Sequence, residues 1–234
     1  MIFTEFAKYL KTNLSLEIDK KQEEQLLTYL SMLQEWNKLF NLTAISESEQ
    51  IIEKHFLDSL IPLKYFKPVH KSLVDIGTGA GFPGLVIAIM SPLADVTLLE
   101  PNNKKIRFLE AVKEKLGLDN VTIISGRAEN LKSSRETFDI AIARAVKPLN
   151  VLLELAIPLV KTKGLFIAMK SQNVNDEIAL SKKAFSLLKC RIANHFEDYL
   201  PTEKDVRINL FIVKNDVTPL KYPRAFNLIS AKPL

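Results

Sequence analysis

The sequence predicts an open α/β sheet preceded by a helical extension, and three observations carry that reading. After Ser72 short β-branched or aliphatic runs alternate with helical patterns, as in parallel strands joined by right-handed crossovers. The first of these runs leads directly into a cluster of glycines. Before Ser72, apolar residues recur instead at helical spacing.

From Asp19 to Phe40 the residues Leu26, Leu27, Leu30, Leu33, Trp36 and Phe40 are spaced for one face of a long amphipathic helix, with Glu and Lys between them. That stripe makes Trp36 a core residue rather than a stacking platform. A second helical segment runs from about Glu47 to Tyr65, kinked near Pro62, and Pro68 closes the region. Residues 1–65 are therefore expected to form a helical N-terminal extension. The next elements are the strand LVDI, the glycine loop, the strand VTLLE, a helix from Lys104 to Leu116 and the strands VTIIS and FDIAIA. A helix from Leu149 to Val160 and the strand LFIAMK follow. The stretch from Cys190 to Lys214 ends in RINLFIVK, which no clear helix separates from the strand before it, so the last pair is expected to be antiparallel. The sheet domain is assigned to residues 66–215 and a C-terminal tail to 216–234.

Composition sets the outer limits. The chain has 234 residues, 47% apolar and 25% charged, which excludes disorder and collagen and allows one large domain with an appendage. A single cysteine, Cys190, forms no internal disulfide or thiolate cluster and reads as a small core residue. His55, His70 and His195 have no Cys or His partner nearby, so no metal site is expected. The N-terminus lacks the basic and apolar blocks of a signal peptide, and no run approaches the roughly 20 apolar residues of a membrane helix. The expected compartment is the cytoplasm. Residues 1–71 carry 9 basic and 10 acidic groups, whereas 72–215 carry 20 and 16 and 216–234 carry 3 and 1. This distribution permits a polyanionic partner without demanding one.

The strongest chemical signal is Leu73-Val74-Asp75-Ile76-Gly77-Thr78-Gly79-Ala80-Gly81-Phe82-Pro83-Gly84, a strand running into glycines that open a helix. Glycine there allows tight turning and close approach of a ligand to the backbone. The next strand ends in Glu100, 23 residues after Gly77, where an acid accepts hydrogen bonds from both hydroxyls of a ribose. A nucleotide-like cofactor is expected across the loop. The pattern Gly79-x-Gly81-x-x-Gly84 satisfies the dinucleotide fingerprint as well, so the literal motif does not choose the cofactor. Pro83 does favour one. It has no N–H and sits within the stretch whose amides cradle a pyrophosphate, a loss that a phosphate-free cofactor such as S-adenosylmethionine tolerates. The form Asp75-x-Gly77-x-Gly79-x-Gly81 is similar to motif I of class I methyltransferases.

The third strand ends in Ser125-Gly126-Arg127-Ala128-Glu129, a polar turn placed for the adenine end of such a cofactor, although a plain helix-initiating turn fits the same residues. The fourth strand delivers Arg144 to the same crevice, where an arginine either pairs with an acid or meets an anionic ligand. Arg144 also excludes chemistries. Amino-group methyltransferases usually carry an Asp/Asn-Pro-Pro-aromatic motif here, and the chain has no Pro-Pro. Carbon-5 pyrimidine enzymes need a cysteine nucleophile, usually beside a proline, which Cys190 lacks. Ribose 2′-hydroxyl enzymes usually place an acid where Arg144 stands. A target that needs no deprotonation fits best.

With these residues in hand, the sequence resembles the RsmG (GidB) family of bacterial 16S ribosomal RNA guanine-N7 methyltransferases. The resemblance runs from Trp36-Asn37-Lys38-Leu39-Phe40-Asn41-Leu42-Thr43 and His55-Phe56-Leu57-Asp58-Ser59, through the glycine loop, to Gly126-Arg127-Ala128-Glu129 and Ala143-Arg144-Ala145. It continues in Ala168-Met169-Lys170 and Tyr222-Pro223-Arg224. It implies a class I, Rossmann-like methyltransferase sheet with S-adenosylmethionine as cofactor and 16S rRNA, or the small ribosomal subunit, as partner. It implies methylation of N7 of a guanine in a hairpin loop near the decoding centre. Gly77, Phe82, Ala128, Glu129 and Arg144 would line the cofactor site by the family's pattern, and Asp75, Gly79, Gly81 and Glu100 by the logic of the class. Guanine N7 presents a lone pair, so no general base is required and catalysis reduces to positioning, for which Arg144 and Lys170 are the candidates.

Two departures from the family stand out. Glu100 is followed by Pro101-Asn102-Asn103-Lys104-Lys105 rather than Ser and a Lys-Arg pair, and the tail after Tyr-Pro-Arg reads Ala225-Phe226-Asn227-Leu228 rather than Lys- and Gly-rich. The second removes the usual basis for a tail role in RNA binding. Basic candidates for RNA are Lys104, Lys105, Arg107, Arg144, Lys170, Arg207, Lys221 and Arg224, with a solvated face the simpler role for each surface lysine. His55 and Asp58, three apart on a helix, are expected to form an internal pair that packs the extension onto the sheet, in preference to a ligand role. Two other readings compete. One is a noncatalytic RNA-binding or ribosome-assembly protein on the same scaffold, and the other is an NAD-dependent oxidoreductase. The sequence sets no oligomeric state.

Overall fold

The computed structural model describes residues 1–144, 147–172 and 174–234. The chain opens with α1 (Phe3–Tyr9), which runs into a π-helical turn over Leu10–Leu14. The helical reading of the sequence had not placed this element. Its signal is the four-residue spacing of Phe6, Leu10 and Leu14, all buried. Next, α2 (Lys20–Phe40) begins where Asp19 caps it: the Asp19 carboxylate accepts from the Gln22 amide at 2.8 Å, and the Gln22 side chain accepts from the Asp19 amide at 3.0 Å. The buried stripe of α2 is Leu26, Tyr29, Leu30 and Leu33. Leu27 and Phe40 face outward, and Trp36 is half-buried against Phe40 and Phe108. The second helical segment is one irregular run: α3 (Ser48–Ile51), a π-helical stretch Ile52–Leu57, α4 (Asp58–Leu60) and a 3-10 turn Ile61–Lys64 that contains Pro62.

The sheet comprises β1 (Ser72–Ile76), β2 (Asp95–Glu100), β3 (Val121–Ser125), β4 (Phe138–Arg144), β5 (Val160–Lys170), β6 (Cys190–Tyr199) and β7 (Val206–Lys214) in the spatial order β3-β2-β1-β4-β5-β7-β6. Strands β1 to β5 are parallel, and β7 lies antiparallel between β5 and β6, as expected for the last pair. The connecting helices are α5 (Gly84–Met90), α6 (Asn103–Leu116) and α7 (Leu149–Ala156). The expectation that no helix follows β5 needs correction: α8 (Val174–Leu180) and α9 (Lys182–Leu188) intervene before β6. They are short and largely exposed, with Val174, Ala184 and Leu188 their only side chains described as buried, so the sequence carries little periodicity there. The last helix, α10 (Phe226–Ala231), lies in the tail.

Two apolar layers cover the sheet. On one face Phe6, Leu26, Tyr29, Leu33 and Phe56 from the N-terminal helices share a core with Leu85 of α5 and Phe108 of α6. On the other, α7 and α9 pack with Tyr222, Ile229 and Leu234 of the tail. Neither terminal region has a core of its own. A fully buried side chain such as Phe6 or Phe56 contributes on the order of 2 kcal/mol, so a handful of them suffices to hold the extension in place. The tail is also held by polar contacts. Glu154 of α7, fully buried, accepts from Arg224 Nε at 2.8 Å and Nη2 at 2.6 Å, and Arg135 donates to the carbonyls of Thr218 and Tyr222. Cys190 is buried and its thiol is pushed up to about 12 by that burial, in keeping with a core role. No helix among the described residues is long and apolar enough to cross a membrane, and none of their His, Cys, Asp and Glu side chains cluster as metal ligands.

Candidate cofactor and acceptor site

Strand order reverses at β1, whose neighbours are β2 and β4. Chains leaving such a point pass to opposite faces of the sheet and leave a crevice at the carboxyl ends of the strands. The loop from Gly77 to Pro83 and the side chains of Glu100 and Arg144 all lie at that end.

The loop is shaped by its own hydrogen bonds. Gly77, Gly79 and Gly81 have φ of 71°, 64° and 104°, values at which a side chain is strained. The Gly77 amide donates to Leu99 O, and those of Gly81 and Phe82 to Thr78 O. The Gly79 amide donates to Glu100 Oε2 at 2.9 Å and the Gly84 amide to Asp75 Oδ2 at 2.7 Å. These amides are already engaged and Pro83 has none, so the loop offers no cradle for a pyrophosphate. This is the physical ground for preferring a phosphate-free cofactor over NAD.

The glycines have distinct roles. A Cβ on Gly81 would lie 2.4 Å from Leu85 Cδ1, and one on Gly84 would lie 2.3 Å from Leu98 Cδ2, so both are required by packing. A Cβ on Gly79 would meet only Lys105 Nζ, at 3.8 Å. Gly79 is therefore the position where the backbone lies open to a ligand. Asp75 lies beneath the loop, fully buried, with Oδ2 accepting from Thr78 Oγ1 and the Gly84 amide and Oδ1 unpartnered among the described residues. Burial raises its carboxyl to about 6, against the pull of the Thr78 hydroxyl, the Gly84 amide and Arg144. Its side chain serves the site through the loop it holds. Glu100, 5% exposed, accepts from the Gly79 amide through Oε2 and from the Asn102 amide through Oε1. Each oxygen keeps a lone pair, which suits it to two vicinal hydroxyls. Ala128 is buried and Glu129 half-buried in the short 3-10 turn that follows β3.

Arg144 terminates β4 and is clamped by the extension. Its Nη1 donates to Lys54 O at 2.9 Å and to Asp58 Oδ2 at 3.1 Å. Its Nη2 lies 3.1 Å from His55 Nδ1. The same Nδ1 lies 3.1 Å from Lys54 O, and Nε2 lies 2.9 Å from Thr43 Oγ1. Burial, and then the Arg144 charge, lower His55 to about 3, which keeps it neutral. The His55 ring stacks on Phe82 at 4.4 Å, Tyr29 stacks on it at 5.4 Å, and Arg144 Cζ lies 5.2 Å from the Phe82 centroid. His55 and Asp58 thus join extension to sheet, each through Arg144 rather than as a pair with one another. Tyr29, which the apolar stripe had not singled out, donates from its hydroxyl to Ala80 O.

Other predicted residues fall into three groups. Arg207 and Arg224 point inward, to Asp58 and Glu154, so neither is available as proposed for RNA. Lys170 donates to Lys147 O and Glu177 Oε2, both at 2.7 Å, and its side chain is 7% exposed, which ties it to the connection after β4. Lys104 and Arg107 are exposed, and Lys105 stands half-buried beside Gly79. Ala145, part of the Ala143-Arg144-Ala145 motif, lies outside the described residues.

Comparison with known proteins agrees with this geometry. Residues 22–198 match the family profile described as rRNA small subunit methyltransferase G (GidB). The chain is 44% identical over 228 residues to the Ribosomal RNA small subunit methyltransferase G of Clostridium botulinum (strain Eklund 17B / Type B), covering 95% of each chain. It is 42% identical over 226 residues to the protein of the same name from Alkaliphilus metalliredigens, covering 94% of each. Among solved structures, TYW2 of M. jannaschii in complex with AdoMet superposes with a TM-score of 0.57 at 15% identity, over 73% of this chain and 79% of that one. At that identity the likeness shows the fold alone.

Proposed function

The chain belongs to the rRNA small subunit methyltransferase G family, and on that premise we propose that it uses S-adenosylmethionine to methylate N7 of a guanine in a 16S rRNA hairpin loop. The observation that carries the choice of acceptor is the state of Arg144. The side chain at the end of β4 is a permanent cation locked by Lys54 O, Asp58 and His55, so it cannot take a proton from the acceptor. Guanine N7 has a lone pair in the plane of the base and needs no deprotonation.

When bound, S-adenosylmethionine supplies an electrophilic methyl group on a sulfonium. Glu100 would hold the ribose hydroxyls, Gly79 would give the backbone approach, and Ala128 and Glu129 would border the adenine. Asp75, Gly77 and Gly81 fix the loop from beneath, while Phe82 and Arg144 form the wall toward the acceptor. Lys170 braces the β4–α7 connection through Lys147 and Glu177. Catalysis on this reading is alignment and exclusion of water. An unpaired loop base suits such a pocket, because it reaches the crevice without breaking a helix. The same proposal assigns residues 1–65 to support of the acceptor wall, 66–215 to cofactor binding and 216–234 to a tail, with the cytoplasm as the place of action.

Two measurements test it. S-adenosylhomocysteine at about 1,000 times its dissociation constant is expected to stabilise the chain by about 4 kcal/mol, and NAD to leave its melting temperature unchanged. Incubation with S-adenosylmethionine and unmodified 16S rRNA, free or in the small subunit, is expected to create one site of borohydride and aniline cleavage, diagnostic of N7-methylguanine. A methyl group mapped to another atom would overturn the acceptor. A shift with NAD alone would revive the oxidoreductase reading.

A further inference from the structure

The tail carries a feature that the methyl-transfer site does not use. Phe226, at the start of α10, has Arg127 Cζ 5.0 Å and Lys147 Nζ 5.6 Å from its ring centroid. Arg127 stands two residues beyond the end of β3 and Lys147 three beyond the end of β4, so one ring gathers a cation from each side of the cofactor crevice. Both side chains are exposed, and neither has a carboxylate partner among the described residues. This sets them apart from Arg144, Arg207, Arg224 and Lys170, each of which is paired with an acid.

The ring itself is anchored. Arg224, two residues before it, is held by buried Glu154, and Ile229, three after it, is fully buried. Two like charges drawn to one aromatic ring repel each other, and the ring quadrupole offsets that repulsion only in part. Two unneutralised cations gathered at one ring attract an anion, and guanidinium and ammonium groups both pair with phosphodiester oxygens. We propose that Phe226 is a positioning residue that holds Arg127 and Lys147 as a phosphate clamp for the rRNA strand entering the crevice. This inference rests on the rRNA-methyltransferase reading and gives the tail a part in substrate binding despite its lack of the Lys- and Gly-rich family ending.

Salt dependence of RNA binding tests the clamp. Binding of unmodified 16S rRNA to the full chain is followed across salt concentration for wild type, Arg127→Gln/Lys147→Gln, Phe226→Leu and Phe226→Trp. Each phosphate contact contributes roughly 0.7 to 0.9 to the slope of log affinity against log salt, so the double variant is expected to be shallower by about 1.5. Phe226→Leu keeps an apolar side chain but no π face, and is expected to lose affinity several-fold with a shallower slope. Phe226→Trp is expected to restore both. Affinity for S-adenosylhomocysteine and melting temperature are the controls for folding, and the exposed Arg127 and Lys147 carry the test if Phe226→Leu melts early. An unchanged slope in the double variant, or identical behaviour of the Leu and Trp variants, would overturn the clamp. Salt-linked rRNA binding by a wild-type chain that transfers no methyl group would instead overturn the methyltransferase reading and leave the clamp standing.

Discussion

Asp58 in the extension holds Arg144 at the end of β4, Oδ2 to Nη1 at 3.1 Å, while its other oxygen accepts from Arg207 Nε at 2.9 Å. One carboxylate, 5% exposed, thus bridges two guanidinium groups, one at the end of β4 and one near the start of β7. The placement of Arg144 at the end of β4 therefore depends on the helical extension being docked. Removing one partner of a buried ion pair leaves the other charge stranded at a cost of about 3 kcal/mol or more. Asp58→Ala is expected to lower unfolding free energy in urea by about that amount and to release Arg144, with loss of methyl transfer.

The glycines separate ligand contact from packing. Gly79→Val places its side chain in open space beside Lys105, and is expected to abolish S-adenosylhomocysteine binding while the urea midpoint falls modestly from backbone strain at φ 64°. Gly84→Ala drives a methyl group into Leu98 and Asp75, and is expected to cost about 1 to 3 kcal/mol of stability. Calorimetric titration together with urea unfolding of both variants checks the distinction. Retained binding in Gly79→Val would remove the loop from the cofactor site.

Glu100 is expected to govern cofactor affinity. Glu100→Ala removes the acceptor of the Gly79 amide and the one proposed for the ribose hydroxyls, and is expected to weaken S-adenosylhomocysteine by about 1 to 3 kcal/mol, or roughly tenfold to a hundredfold. An unchanged dissociation constant would contradict the ribose role.

Much of this was legible in the sequence because the responsible forces are local. The strands of the parallel sheet and the glycine loop each depend on near neighbours along the chain, and Glu100 follows at the spacing the crossover requires. The partners of Arg144 were legible only by type. An arginine at a strand end implies an acid, but Lys54, His55 and Asp58 lie 86 to 90 residues away, and no periodicity links them to β4. The same holds for Arg207 and Arg224, whose charges suggest RNA until Asp58 and Glu154 are seen beside them. Helices α8 and α9 escaped because a short, exposed helix has little apolar stripe to show.

Arg224 is expected to act on stability rather than on RNA. Glu154 is fully buried and bound by both Nε and Nη2 of Arg224, so Arg224→Ala strands a carboxylate in the α7 layer, at a cost of about 3 kcal/mol. Lysine cannot reproduce the two-pronged contact, and Arg224→Lys is expected to recover only part of the loss. The melting temperature reports the effect, and the salt slope of rRNA binding is expected to stay near the wild-type value for the lysine variant.

Acid stability is expected to expose two opposed titrations beside the loop. His55 falls from 6.5 to about 3 on folding, chiefly by burial and then by Arg144, so below pH 6.5 the unfolded chain takes up a proton that the folded chain refuses. Stability from this group is therefore lost as pH falls from 6.5 toward 3, by about 3 kcal/mol at pH 4. Asp75 rises from 3.8 to about 6, so between those values the folded chain holds the extra proton. Its contribution moves the other way, with about 2 kcal/mol gained by pH 4 as the buried charge is neutralised. The two largely cancel in the wild type. Subtracting wild type from each variant removes the other carboxylates and isolates them: His55→Gln is expected to gain on wild type as pH falls from 7 to 4, and Asp75→Asn to lose on it. Urea unfolding at pH 7, 5.5 and 4 checks the signs. Parallel pH profiles for all three proteins would show that neither group titrates between its folded and unfolded values.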